Sequence, residues 1–266
     1  MAARFQFYLV VAACVALGGP ACGRHVYLGA LADGSTGGSD AGNGGILWQA
    51  LFENGDLSEW TGDGNGGIYM DTRATAPAAS AQNSHRGRFS GIATFAPMGL
   101  TSWSYLYRDQ PSLPEAYYGA WFFIPTTLQI NSWLSVHHFG YHPTAGSADT
   151  MPVWDFHVYP TSDGSLAARL YESSTIKNFE QPNPVPVPTA TWVHFEIFYR
   201  KAADATGEII VWQDGVQILD VKNALTAPTD FVQWDAGGGS NDIAPSPAAV
   251  YLDDATISTT RVGTGL

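Results

Sequence analysis

Between Trp133 and Tyr171 the sequence concentrates side chains that can move protons and bind anions. WLSVHHFGYH (133–142) carries His137 and His138, VWDFHVYP (153–160) carries Asp155, His157 and Tyr159, and SLAARLYES (165–173) carries Arg169 and Tyr171. Residues two apart on an extended strand share a face, so Asp155, His157 and Tyr159 project together, opposite Trp154, Phe156 and Val158. By the same rule Arg169 and Tyr171 share a face. In the first segment, alternation sets Leu134, Val136 and His138 against Ser135, His137 and Phe139, which directs His137 to an open groove and His138 to the core. Gathered in one groove, His137, His157, Tyr159, Arg169 and Tyr171 would suit β-elimination on a uronic acid. Arg pairs with the carboxylate and lowers the pKa of the α-proton, while His or Tyr removes that proton and protonates the leaving oxygen. The same groups could instead hydrogen-bond and stack on a neutral sugar, or pack beneath a loop.

A second set is aromatic. Trp103, Tyr105 and Tyr107 alternate along SWSYLYR (102–108), a disposition that lets rings lie flat under pyranose faces while their polar edges stay wet. With Asp155 they form the candidate substrate-binding row; a large core would consume aromatics too. In TWVHFEIFYR (191–200), His194 and Glu196 lie opposite Val193, Phe195, Ile197 and Tyr199 and are expected to be a buried, hydrogen-bonded structural pair, with a catalytic pair as the alternative. Hydrolysis of a glycoside asks for two carboxylates about 5 Å or roughly 6.5–9.5 Å apart, and the seven Glu show no such arrangement. A zinc site at His138 and His142 is declined, because four residues of strand separate them by about 13 Å.

The elements that must position these groups are strands. The clearest are 102–108, 117–124, 133–142, 153–159, 165–173, 191–200, 207–214 and 248–258, divided by Gly, Pro, Asn and Asp clusters. Ser162-Asp163-Gly164 and Asp214-Gly215 are hairpin turns, and the Pro-rich stretch 181–189 is an extended connection. Nine Trp, 12 Tyr, 13 Phe, 29 Gly and 16 Pro favour strands and turns over helices. The predicted fold is all-β: a single jelly-roll sandwich of two antiparallel curved sheets over 47–260. Twelve Lys and Arg against 24 Asp and Glu leave a net charge of −12, which argues against a nucleic-acid partner.

The amino terminus has its own pattern. Arg4 precedes an apolar stretch to Leu17 and then small residues, the order of an export signal over 1–22. The two Cys, Cys14 and Cys22, both fall within it, so the folded part has no disulfide. Cys22 followed by the Gly/Ser-rich tether 23–46 resembles a bacterial lipoprotein acylated at that Cys, although Gly-Pro-Ala-Cys22 departs from the usual pattern and Val11-Ala-Ala-Cys14 fits it better with a cramped apolar stretch. The expectation is an exported monomer, lipid-anchored at a membrane or cell surface, or secreted.

Five phrases in order carry a resemblance: Leu51-Phe-Glu-Asn-Gly-Asp-Leu-Ser-Glu-Trp60, His85-Arg-Gly-Arg-Phe-Ser-Gly91, Tyr118-Gly-Ala-Trp-Phe-Phe-Ile-Pro125, Trp192-Val-His-Phe-Glu196 with Gly207-Glu-Ile-Ile-Val-Trp-Gln-Asp-Gly215, and Val250-Tyr-Leu-Asp-Asp-Ala-Thr-Ile-Ser258. Together they resemble the concanavalin A-like jelly rolls, whose members include lectins, laminin-G-like modules, glucanases and polysaccharide lyases. The resemblance implies an opening strand at the first phrase, a small-residue strand at the second, and a concave sheet that holds a glycan. It also implies a central-strand His preceded two places earlier by Gln, where this chain has Ser135. The R-x-E strand and late Tyr-Lys-rich strand of alginate-type lyases have only Arg108-Asp109 and Val232-Gln-Trp234-Asp as counterparts. Similar folds hold a structural calcium near the paired termini, which points to Glu53, Asp56, Asp253 and Asp254 as oxygen ligands. Polysaccharide binding, with or without β-elimination, is the resulting expectation; a non-catalytic laminin-G-like adhesion module is the alternative.

Overall fold

In the computed structural model, residues 45–110, 113–140, 153–227 and 232–265 are described. Cys14, Cys22, the tether up to residue 44, and His142 lie outside them. In chain order the elements are β1 (Ile46–Ala50), α1 (Ser58–Thr61), β2 (Gly66–Met70), β3 (Thr75–Ser80), β4 (Ser90–Phe95), β5 (Ser102–Gln110), β6 (Glu115–Phe123), β7 (Gln129–Ile130) and β8 (Leu134–Gly140). There follow β9 (Trp154–Pro160), β10 (Leu166–Glu172), β11 (Lys177–Glu180), β12 (Trp192–Arg200), β13 (Gly207–Gln213), β14 (Val216–Ala224), β15 (Val232–Ser240), β16 (Ile243–Ala244) and β17 (Ala248–Ser258). Among the described residues no helix is long and apolar enough to cross a membrane.

The strands form two large antiparallel sheets. One is eight-stranded, in the order β14-β13-β12-β6-β17-β4-β3, with β1 also paired to β17; the other is seven-stranded, in the order β11-β10-β9-β8-β15-β5-β2. Alternation explains their packing. Val193, Phe195, Ile197 and Tyr199 of β12 are buried on one face, and Trp154, Phe156 and Val158 of β9 and Ala168 and Leu170 of β10 meet the same core. Phe156 packs edge-on against Phe195 at 4.8 Å between ring centroids, joining the two sheets. Truncating either ring to Ala would cost about 3–5 kcal/mol. The result is a β-sandwich of jelly-roll type.

Both expected hairpin turns are present. Asp214 (φ 49°) and Gly215 (φ 82°) take left-handed conformations between β13 and β14, the pairing that matches the twist of the flanking strands. Asp163 accepts a hydrogen bond from the Ser165 amide at 3.0 Å in the turn joining β9 to β10. The segment 181–189 is extended and held by side chains: Gln181 Nε2 donates to the Ala168 carbonyl, and Gln213 Nε2 to the Pro186 carbonyl, each at 2.8 Å.

Two of the expected strands are corrected. Leu51–Trp60 is a turn running into α1, because Glu59 accepts hydrogen bonds from the Leu51 and Phe52 amides and folds the chain back on itself; the first strand is β1. Of 85–91 only Ser90 and Gly91 are strand, since the Glu53 carboxylate binds the amides of Arg88 and Phe89 and ties that stretch down as a loop.

Candidate active site

The outer face of the seven-stranded sheet is built by strands that are distant in sequence. β15 lies between β5 and β8, so residues 102–110, 134–140 and 232–240 run side by side. Pairing of β8 with β9 sets Leu134 opposite Val158 and Ser135 opposite His157, but then His137 opposite Phe156 and His138 opposite Asp155. Val136 is thus an extra residue, a β-bulge, and beyond it the parity of the strand is inverted.

This overturns the placement of the two histidines. His137 is fully buried between the sheets, where its Nδ1 accepts a hydrogen bond from Trp234 Nε1 at 2.9 Å and its ring lies edge-on to Phe122. Burial pushes its pKa down to about 3, so it is a neutral acceptor inside the core and does not reach the groove. His138 takes the outward position. Its Nδ1 lies 2.8 Å from Asp155 Oδ1, and its Nε2 lies 3.9 Å from Asp235 Oδ2.

His138 and Asp155 border a pocket of about 190 Å³ whose wall is completed by Tyr69, Trp103, Tyr105 and Trp133. Gly239 forms part of its lining, and a Cβ there would sit 2.6 Å from the Tyr105 hydroxyl and have to displace it. Burial raises the Asp155 carboxyl, but the neighbouring His138 and His157 and the hydrogen bonds from His138 and Ser135 outweigh it, and the group lies below its ordinary range. Asp155 is therefore an anion beside the imidazole. Tyr105 is displaced the other way: burial, then the charge of Asp155, push its phenol well above the usual value. It keeps its proton at neutral pH. An ionised acceptor, an imidazole and a protonated phenol in one pocket are the parts of an acid–base pair.

His157, Tyr159, Arg169 and Tyr171 continue the same face on β9 and β10, outside the pocket wall. His157 is clamped between Trp133 (4.7 Å) and Tyr171 (5.4 Å), both rings stacked on it. Burial lowers its pKa to about 4 against the opposing pull of Asp155; it is neutral near pH 7. Arg169 lies over the Tyr159 ring at 4.4 Å and is paired with Glu180 at 3.1 Å. Trp103 and Tyr105 belong to the pocket, and Tyr107 follows them along β5. Tyr69, Trp133 and Asp235 were not singled out from sequence; Asp235 had one signal, the segment 232–235 compared with a lyase strand. Arg108, considered with it, is directed away from the pocket, in a two-point pair with Asp63 and over the Trp48 ring.

The carboxylates expected to hold calcium are divided. Asp56 caps the Ser58 amide at the start of α1. Glu53 and Asp254 border a second pocket together with Arg86, and Asp254 is engaged by His85 Nδ1 at 2.6 Å. Asp253 is buried and accepts the amides of His85 and Asp254. Among the described residues no three His, Asp or Glu side chains are grouped so as to hold a metal ion.

A two-sheet sandwich with an aromatic-walled acid–base pocket on one outer face defines a carbohydrate-active β-sandwich. The chain belongs to the polysaccharide lyase family whose sequence model matches residues 52–254. Among solved structures it is similar to an endo-β-1,4-glucuronan lyase from the fungus Trichoderma reesei (17% identity, 81% of this chain and 96% of that one, TM-score 0.57). It is also similar to the cellulose induced protein Cip1 (18%, 82% and 99%, TM-score 0.57), and to a mutant of the alginate lyase Aly36B in complex with alginate trisaccharide (14%, 80% and 98%, TM-score 0.57). At these identities the likeness is one of fold. No curated protein matches the chain.

Proposed function

We propose that the chain cleaves a uronic-acid-containing polysaccharide by β-elimination in the pocket between β5, β8 and β9. The observation that carries this reading is the His138–Asp155 contact at 2.8 Å with the Tyr105 ring stacked beside the imidazole, 6.0 Å between ring centroids. The imidazole takes the C5 proton, and Asp155 on Nδ1 stabilises the imidazolium that forms. The electron pair of the C–H bond becomes the C4–C5 double bond, the C4–O bond breaks, and the leaving oxygen takes the Tyr105 proton. Proton exchange with solvent resets both groups. Trp103, Trp133 and Tyr69 supply faces on which pyranose rings stack, and the row His157, Tyr171, Tyr159 and Arg169 extends that surface along the glycan. The test is ultraviolet absorbance of the unsaturated uronate on alginate, glucuronan and other uronans. A rise that disappears in His138→Ala supports the reading; no rise on any uronan, with polysaccharide still bound, leaves a binding protein.

Export belongs to the same proposal. The pattern of residues 1–22 supports it, and Cys22→Ser should release the protein from the membrane fraction if that Cys is acylated.

A further inference from the structure

Charge around the pocket bears on the form in which a uronate can enter it, an inference that rests on the β-elimination reading above. The wall is aromatic and acidic. Asp155 and Asp235 flank His138 on its two sides, and among the described residues no Lys or Arg lines the pocket. Arg73 reaches the carbonyl of the pocket residue Thr101 but is paired with Asp71 at 2.8 Å, and Arg169, two strands from His138, is paired with Glu180. The whole chain is at −12, so the long-range field repels a polyanion as well.

Removal of the proton next to a free carboxylate places a second negative charge on the same group, and that charge needs a cation or several hydrogen-bond donors against it. An ester removes the demand, because its carbonyl accepts the electron pair and carries no charge beforehand. It also suits an apolar wall: Trp103, Trp133, Tyr69 and Tyr105 offer a methyl group the surface that a carboxylate would have to be desolvated to reach.

We infer that the pocket selects uronic acid residues whose carboxyl group is esterified, acting on neutral stretches of uronan ahead of the free acid. The elimination forms and breaks the same bonds, with the ester carbonyl in place of the carboxylate and the alkyl group retained in the unsaturated product.

The experiment uses the full chain with alginate, glucuronan and polygalacturonate, each offered as the sodium salt and as its methyl ester, followed by the absorbance of the unsaturated product. Cleavage of an ester at least about tenfold faster than the matching acid supports the inference. Cleavage of the acid as fast or faster overturns it and leaves the lyase reading standing. If neither form is cleaved, the lyase reading fails, and retardation in gels containing each polymer decides the inference: stronger retention by the ester upholds it, while equal retention, stronger retention by the acid or none overturns it. Salt supplies a second readout. Raising ionic strength from about 0.02 to about 0.3 M should speed cleavage of the acid severalfold and leave the ester unchanged, because only the acid is repelled; the reverse response would count against the electrostatic cause.

Discussion

Each large sheet turns a histidine and a carboxylate outward, and the two pairs meet opposite fates. On the seven-stranded sheet, His138 and Asp155 border a pocket. On the eight-stranded sheet, His194 and Glu196 of β12 are sealed: Glu196 accepts hydrogen bonds from Arg261 Nε and from the Val262 and Gly263 amides at 2.9, 2.7 and 3.2 Å, and Arg261 lies over the Trp212 ring. His194 sits against Trp121, and burial lowers its pKa to about 4. The functional groups are the same, an imidazole and a carboxylate. What differs is the segment above them, since the residues after β17 cover one pair and, among the described residues, none is hydrogen-bonded over the other in that way. Residue type names the chemistry available; access decides whether it is used.

The largest expected effect separates the two pairs by activity. His138→Ala should lower turnover by roughly 10²–10⁴-fold, whereas Glu196→Ala should leave the turnover of folded protein unchanged; equal losses in both would break the distinction.

Acid should then act on the buried histidines of both sides. His137, His157 and His194 have folded-state pKa values of about 3, 4 and 4, below the unfolded value near 6.5. The unfolded chain binds more protons, so stability present at pH 7 is lost as pH falls, by about 2 kcal/mol for each at pH 5. Asp253 works the other way. Burial, helped by the charge of Asp254, raises it to about 7, so it gains roughly what one histidine loses over that interval. Net destabilisation of about 4 kcal/mol from pH 7 to pH 5 is expected in urea unfolding. Asp253→Asn should steepen the loss; a flat pH profile would show that the histidines are not buried as described.

Smaller effects probe the sealed side alone. Glu196→Ala leaves two amides and a guanidinium without their acceptor and should cost about 2–4 kcal/mol in the same measurement. Arg261→Ala removes a partly exposed pair and a ring contact and should cost about 1 kcal/mol or less. A larger loss from Arg261 than from Glu196 would mean that the carboxylate is not the anchor.

Much of the groove could be read along the chain. Alternation puts Asp155, His157 and Tyr159 on one face of β9, Arg169 and Tyr171 on one face of β10, and Trp103, Tyr105 and Tyr107 on one face of β5, as the sheet has them. It failed on β8, where Val136 is inserted opposite β9 and the outward histidine becomes His138. Parity counting has no means of detecting an inserted residue, because the bulge is a property of two strands in register. The run Gly237-Gly238-Gly239 on the neighbouring β15 was the visible trace of irregular pairing there, and β15 does slip against β8 between Ala236 and Gly239.

The local pattern of apolar and polar residues determined that this chain makes strands, where they turn and which side chains travel together, since strand pleating has a period of two set by the backbone itself. Only the assembled sandwich decided that β15 lies between β5 and β8, that Trp133 covers His157, and that Asp155 meets His138 instead of its neighbour. Those choices depend on register and contact between segments as much as 138 residues apart, as Ser240 is from Ser102 in the pairing of β15 with β5, and no local rule spans that distance.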